Sequence, residues 1–141
     1  MTIRKLLALG VCALLSLVAG AQSINPPKEI HLNTADLDVR IPYDGVHVKT
    51  VYTDTTLLFF IEIDAGSSSA HHNHADEQTM LFHSGRVRAV VGDREYEVGA
   101  GDVIIVSSYI PHQFHAIEDA TWTEVHGPGF NNARKWESAN N

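Results

Sequence analysis

Gly66-Ser-Ser-Ser-Ala-His-His-Asn-His-Ala-Asp-Glu-Gln-Thr-Met-Leu-Phe-His-Ser-Gly85 is the stretch whose reading decides the fold. It sets His72 and His74 two residues apart, Gln78 four further on, and a glycine at each end. Along an extended strand, side chains at even spacing share a face, so these three converge if the backbone is strand-like; on a helix the histidine pair would diverge. Convergent imidazoles beside an oxygen donor suit a borderline divalent metal such as Zn, Fe, Mn, Ni or Co. With Gln78 inward, Met80 and Phe82 line the same face, while Glu77, Thr79, Leu81 and His83 take the other.

The sequence on either side has the same strand texture. Val46 to Tyr52 alternates and is rich in β-branched residues, and Thr56 to Ile63 is nearly all apolar. Downstream, Arg86 to Val91 and Glu95 to Val98 flank Gly92-Asp93, a hairpin signal. Val103 to Val106 is a fully apolar strand, and Gln113 to Ile117 and Thr121 to Val125 give two more across a Glu118-Asp119 turn. Short strands, glycine-rich turns and no sustained helical period predict an all-β sandwich or barrel, best met by a jelly roll.

A fourth metal ligand is offered by a second stretch, Gly101-Asp-Val-Ile-Ile-Val-Ser-Ser-Tyr-Ile-Pro-His112, in which Pro111 stiffens the approach to the histidine. Together the two stretches resemble the paired motifs of the cupin superfamily, whose fold is a double-stranded β-helix, or jelly-roll barrel, with a metal inside. The first cupin motif runs Gly, five residues, His, one, His, three or four, Glu, six, Gly. Gly66, His72, His74, Gln78 and Gly85 fall on those positions, with Gln where Glu is usual, and the register with Gly85 selects Gln78 over Glu77. The second motif runs Gly, five, Pro, one, Gly, two, His, three, Asn; here the positions hold Gly101, Ser107, Tyr109, His112 and Ala116. The resemblance covers Leu57 to Val125 and implies that His72, His74, Gln78 and His112 are the ligands of a divalent Mn, Fe, Zn or Ni ion.

The remaining histidines read differently. His31, His47, His83 and His126 each read first as hydrogen-bonded structural residues. By alternation His71 and His115 face away from their ligand neighbours.

The ends of the chain set the expected context. Residues 1–21 read as a cleaved signal peptide: Arg4 and Lys5, an apolar run from Leu6 to Val18, then Ala19-Gly20-Ala21. The mature chain is then expected in a secreted or periplasmic setting. Its division is an extended leader over 22–45, the barrel over 46–130 and a polar tail over 131–141. Within the leader, Asn33 to Asp36 forms a capped turn or a loop. Losing Arg4 and Lys5 takes the formal charge from −7 to −9. That argues against nucleic acid and against anionic membrane surfaces as partners of the mature form. The lone Cys12 goes with the signal, so no disulfide is expected. About 120 residues make one domain.

Three neutral imidazoles and a neutral amide leave the 2+ charge of an ion uncancelled, which weakens binding but strengthens its pull on a substrate oxygen. A small oxygenated substrate is expected, with an anionic one favoured, and Arg86 or Arg88 could pair with it if either faces inward. Three functions follow. The first is a metal-dependent lyase or isomerase; the resemblance implies it, because cupins with three His and one Gln include enzymes that open unsaturated sugar acids and others that cleave cyanohydrins. The second is an iron-dependent dioxygenase, and the third a non-catalytic sugar- or small-molecule-binding barrel. For the proton-moving residue the candidates are His126, at the end of the last strand, Tyr109, three before His112, and Tyr96; His126 is preferred, with Tyr109 second. The resemblance also implies a homodimer, in which residues 23–39 could cross to a partner's sheet edge.

Overall fold

The computed structural model describes residues 29–53 and 55–127. The expected signal peptide, residues 22–28 of the leader and the tail with Trp136 lie outside the described residues. Backbone contacts divide the chain at Leu32, and the fold is that of the unit from Leu32 onward. A single 3-10 turn, Thr34–Asp36, opens it, with the Asn33 side chain accepting from the Ala35 N–H as its cap. No α-helix occurs among the described residues.

Nine strands follow: β1 (Arg40–Tyr43), β2 (Val46–Tyr52), β3 (Leu57–Ile63), β4 (Gln78–Ser84), β5 (Arg86–Val91), β6 (Arg94–Gly99), β7 (Val103–Val106), β8 (His112–Ala116) and β9 (Ala120–His126). They form two antiparallel sheets, one ordered β1-β2-β3-β9-β4-β7 and the other β6-β5-β8. This is the jelly-roll architecture that the strand pattern predicts. Each strand after β1 falls within a residue or two of the stretch read from alternation. β1 differs: it lies inside the leader, four residues that pair with β2 and hold no fully buried side chain. Ile41-Pro42-Tyr43 therefore carries no apolar alternation to announce it, and its order comes from the ladder on β2.

Alternation decides what fills the space between the sheets. Gln78, Met80 and Phe82 of β4 are buried, whereas Leu81 and His83 are exposed. Val46, Ile61, Met80, Phe82 and Trp122 from the large sheet meet Val87, Ala89, Val98 and Phe114 from the small one. Outside, Arg86 pairs with Glu97 and Glu118, and Arg88 with Glu95, so both arginines are engaged on the exposed surface rather than inside.

The tight link between β4 and β5 depends on Gly85, whose φ is +72°. A Cβ there would run into the Asp119 carbonyl oxygen and Ala120. Gly85→Ala is therefore expected to destabilise the fold by about 2–4 kcal/mol, from left-handed backbone cost plus overlap. Thermal unfolding followed by far-UV ellipticity checks this, and a midpoint within about 1 °C of wild type would show that the turn rebuilds freely.

Candidate metal centre

The segment after Gly66 does not continue as one strand through the histidines. Residues 66–72 lie antiparallel beside β8, through Gly66 N–H to Ala116 O (2.9 Å), Ser69 N–H to Phe114 O (3.0 Å) and the reciprocal pair between His72 and His112 (3.1 and 2.8 Å). The chain then bends at Ala75-Asp76 and enters the other sheet at Gln78. The convergence of His72, His74 and Gln78 thus has a different cause from the shared strand face expected. His112 comes from the small sheet, Gln78 from the large one, and His72 and His74 from the crossover segment, His72 being bridged to His112 at the small sheet's edge.

The donor atoms of His72, His74 and His112 lie within 4.8 Å of one another. Their ring centroids are 4.4 Å (His72 to His112), 5.0 Å (His74 to His112) and 5.6 Å (His72 to His74) apart. Each ring is held the same way. Nδ1 lies 2.9 Å from Ala70 O in His72, 2.9 Å from Asp76 O in His74, and 2.8 Å from Ile110 O in His112. A carbonyl can only accept, so each Nδ1 carries the proton and each Nε2 presents a lone pair. That is the arrangement in which imidazoles ligate metals.

Two observations fit a cation there. His112 Nε2 is the one buried side-chain N or O atom without a hydrogen-bond partner among the described residues. An orphaned acceptor of this kind costs about 1–3 kcal/mol and calls for an explanation. Burial also pushes His112 down to about 4, so the ring is neutral at physiological pH. Gln78 Oε1 lies 3.0 Å from His74 Nε2, while its Nε2 faces Met80 Sδ at 3.4 Å. With His74 protonated on Nδ1, that contact sets two acceptors side by side, as donors to a shared ion stand. The triad could hold a metal ion, and Gln78 is placed to join it.

Behind His74 lies an array of charged groups, of which His126 is a sequence candidate and Asp76 and Glu124 are not. Asp76 is buried, with Oδ1 3.2 Å from His74 Nδ1 and Oδ2 2.6 Å from His126 Nδ1. Glu124 follows, its Oε2 3.4 Å from His126 Nε2 and its Oε1 accepting from the Trp122 indole N–H at 2.9 Å. Burial opposes charge on His126, but the bond to Glu124 and its charge, with Asp76 adding to them, raise it above the ordinary histidine value. Burial likewise pushes Glu124 up, yet His126 and the indole outweigh it and hold the carboxyl below its usual range.

His126 is thus brought to the cluster, its ring 5.3 Å from that of His74, but it is 2% exposed and lies between two carboxylates. Tyr109, in the turn at Ser107–Ile110, has a φ of +63° and is 67% exposed. What it contributes is its backbone N–H, donated to His74 O at 2.7 Å. Tyr96 is exposed on β6. His71 is exposed, and His115 bonds to Ser68 Oγ at 2.7 Å, away from the triad as alternation predicts. The signal for Glu124 was its parity with Trp122 and His126 on one strand; for Asp76 it was a position midway between His74 and Gln78.

Fold and site together define a jelly-roll barrel with a histidine-lined end. Residues 59–126 match the family model described as Cupin domain, and that segment is a cupin domain. An uncharacterized protein of Streptomyces coelicolor is 26% identical over 80 residues, 57% of this chain and 76% of that one. Among solved structures, an RmlC-like cupin from Shewanella frigidimarina superposes with a TM-score of 0.67 at 16% identity, over 72% of this chain and 92% of that one. The polyketide cyclase RemF from Streptomyces resistomycificus gives 0.64 at 19% identity, over 71% and 80%. At such identities the likeness is one of fold.

Proposed function

We propose that this chain is a metal-dependent cupin that acts on a small oxygenated molecule by Lewis-acid chemistry of the lyase or isomerase type. The observation that carries the reading is the set of three Nδ1-anchored imidazoles whose Nε2 atoms converge, with that of His112 buried and unpartnered. His72, His74, His112 and Gln78 would hold the ion, and a divalent Zn, Mn, Ni or Fe so held supplies polarisation of a hydroxyl or carbonyl oxygen. His72, the exposed member of the triad, marks the side from which a small molecule enters. Glu124, its side chain 14% exposed, is the ionised carboxylate set to take a proton at Oε2, next to His126 Nε2. His126 and Asp76 then hold that carboxylate in place from behind. That an enzyme such as RemF shares the fold supports a catalytic reading by analogy alone.

The experiment is reconstitution. Chelator-stripped protein is loaded separately with Zn, Mn, Ni and Fe(II) and screened against hydroxy acids and sugar acids for elimination and isomerisation, with oxygen uptake followed in parallel. Turnover restored by redox-inert Zn, without oxygen uptake, is the expected result. Activity confined to Fe(II) with stoichiometric oxygen consumption would make the protein a dioxygenase instead. A wild-type chain that neither carries nor takes up metal would leave a barrel that binds by shape.

A further inference from the structure

The proposed donor set carries no negative charge: three neutral imidazoles and one amide. We infer that Glu124, linked through His126 and Asp76 to His74, supplies from behind the ligands the negative charge that Gln78 withholds from the ion. The inference rests on the metal reading above, and its chain of contacts is continuous. Glu124 Oε2 is 3.4 Å from His126 Nε2, His126 Nδ1 is 2.6 Å from Asp76 Oδ2, and Asp76 Oδ1 is 3.2 Å from His74 Nδ1. All three side chains are buried or nearly so, with exposures of 14%, 2% and 3% for Glu124, His126 and Asp76. Water therefore screens their field less than it would at the surface.

The sign of the array's charge does not depend on whether the ring between the carboxylates carries one proton or two. Two carboxylates flank one imidazole, so the array keeps one net negative charge with His126 cationic and two with it neutral. Burying such an excess is costly unless something compensates for it. A divalent ion on the far side of His74 does so, and the His74 ring carries the interaction, since Asp76 makes it a stronger donor. The array thus does from outside the ligand set what a carboxylate at position 78 would do from within it. A consequence for substrate follows: the ion's pull on an anion is partly cancelled, so a neutral hydroxyl or carbonyl compound is bound nearly as readily as a carboxylate.

The test is Zn2+ affinity, measured by competition with a chromophoric chelator on the metal-stripped chain at fixed pH. Four variants are compared with wild type: Glu124→Gln, Asp76→Asn, Gln78→Glu, and Gln78→Glu combined with Glu124→Gln. Glutamine at 124 keeps an acceptor for the Trp122 indole, and asparagine at 76 keeps the backbone carbonyl that anchors His74, so both changes remove mainly charge. Glu124→Gln and Asp76→Asn are each expected to weaken Zn2+ binding by roughly tenfold or more. Gln78→Glu is expected to strengthen binding more in the Glu124→Gln background than in the wild-type one, returning the double variant to at least wild-type affinity. That recovery is the readout a structural role for Glu124 would not produce. If Glu124→Gln fails to fold, Asp76→Asn alone and with Gln78→Glu decides by the same criterion.

Affinities within about twofold of wild type in Glu124→Gln and Asp76→Asn, beside a wild type that binds near one equivalent, overturn the inference and leave the metal reading standing. A weakening that Gln78→Glu does not recover overturns it as well, by making Glu124 and Asp76 structural. A wild type that takes up no Zn2+ defeats the metal reading itself, and the inference with it.

Discussion

Replacing His72 and His112 together by alanine is expected to take bound metal from near one equivalent to less than about a tenth, since two of three imidazole ligands are lost. Elemental analysis of protein purified without added metal reads the result directly. His74 and Gln78 would remain, two neutral donors 3.0 Å apart, and a site of that kind holds no borderline ion against solvent. The fold should survive. Deleting the His112 ring leaves a cavity, but it also removes a buried acceptor that has no protein partner, so the two effects oppose each other. This separates loss of the site from loss of the structure. Metal at a hundredfold above its Kd stabilises the native state by about 2.7 kcal/mol. For a domain of this size that is upward of about 5 °C in midpoint. Chelation should therefore lower the wild-type midpoint and leave that of the double variant unmoved. A double variant that retains stoichiometric metal would place the ligands elsewhere in the chain.

Structure written in a period of two was the most legible in this sequence. β2 to β9 were legible because each alternates across a packed sheet or runs apolar between turn residues, as in Gln78-Thr-Met-Leu-Phe82. β1 was not, because its side chains are half-exposed and it exists through backbone pairing with β2. The ligand set was proposed from spacing, yet the cause of its convergence was not legible. His72 and His112 are adjacent because the crossover segment runs beside β8, a pairing across 40 residues that local alternation cannot express. Asp76 and Glu124 were missed for a related reason. A carboxylate on a strand or at a bend reads as solvated, since burial is costly without a partner. Here the partner is His126, which is 50 residues from Asp76 and itself reads as an ordinary strand-end histidine. Where charge goes inside a β fold is decided by such distant pairings.

Trp122 is where core and site depend on the same side chain, and Trp122→Ala is expected to cost about 4–8 kcal/mol. The indole is 3% exposed and packs on Phe82 and Phe114, with ring centroids 5.7 and 6.0 Å away. Truncating a buried tryptophan costs roughly 3–5 kcal/mol in lost transfer and cavity formation. Its N–H also serves Glu124, and a carboxylate in that setting stripped of a donor adds about 1–3 kcal/mol. Set against the 5–15 kcal/mol typical of a domain, roughly, the variant should be close to unfolded at 37 °C. Trp122→Phe separates the two contributions: it keeps most of the ring volume and removes the donor, so its cost should be about 1–3 kcal/mol. Urea denaturation followed by far-UV ellipticity measures both; fluorescence cannot, because Trp122 is one of only two tryptophans. If Trp122→Ala costs less than about 1 kcal/mol, the inner face of β9 is not the packed centre of the barrel. If Trp122→Phe costs as much as Trp122→Ala, the indole N–H outweighs the ring. The strand carrying His126 and Glu124 would then be held in register chiefly by its polar contacts, and the site would be organising the core rather than resting on it.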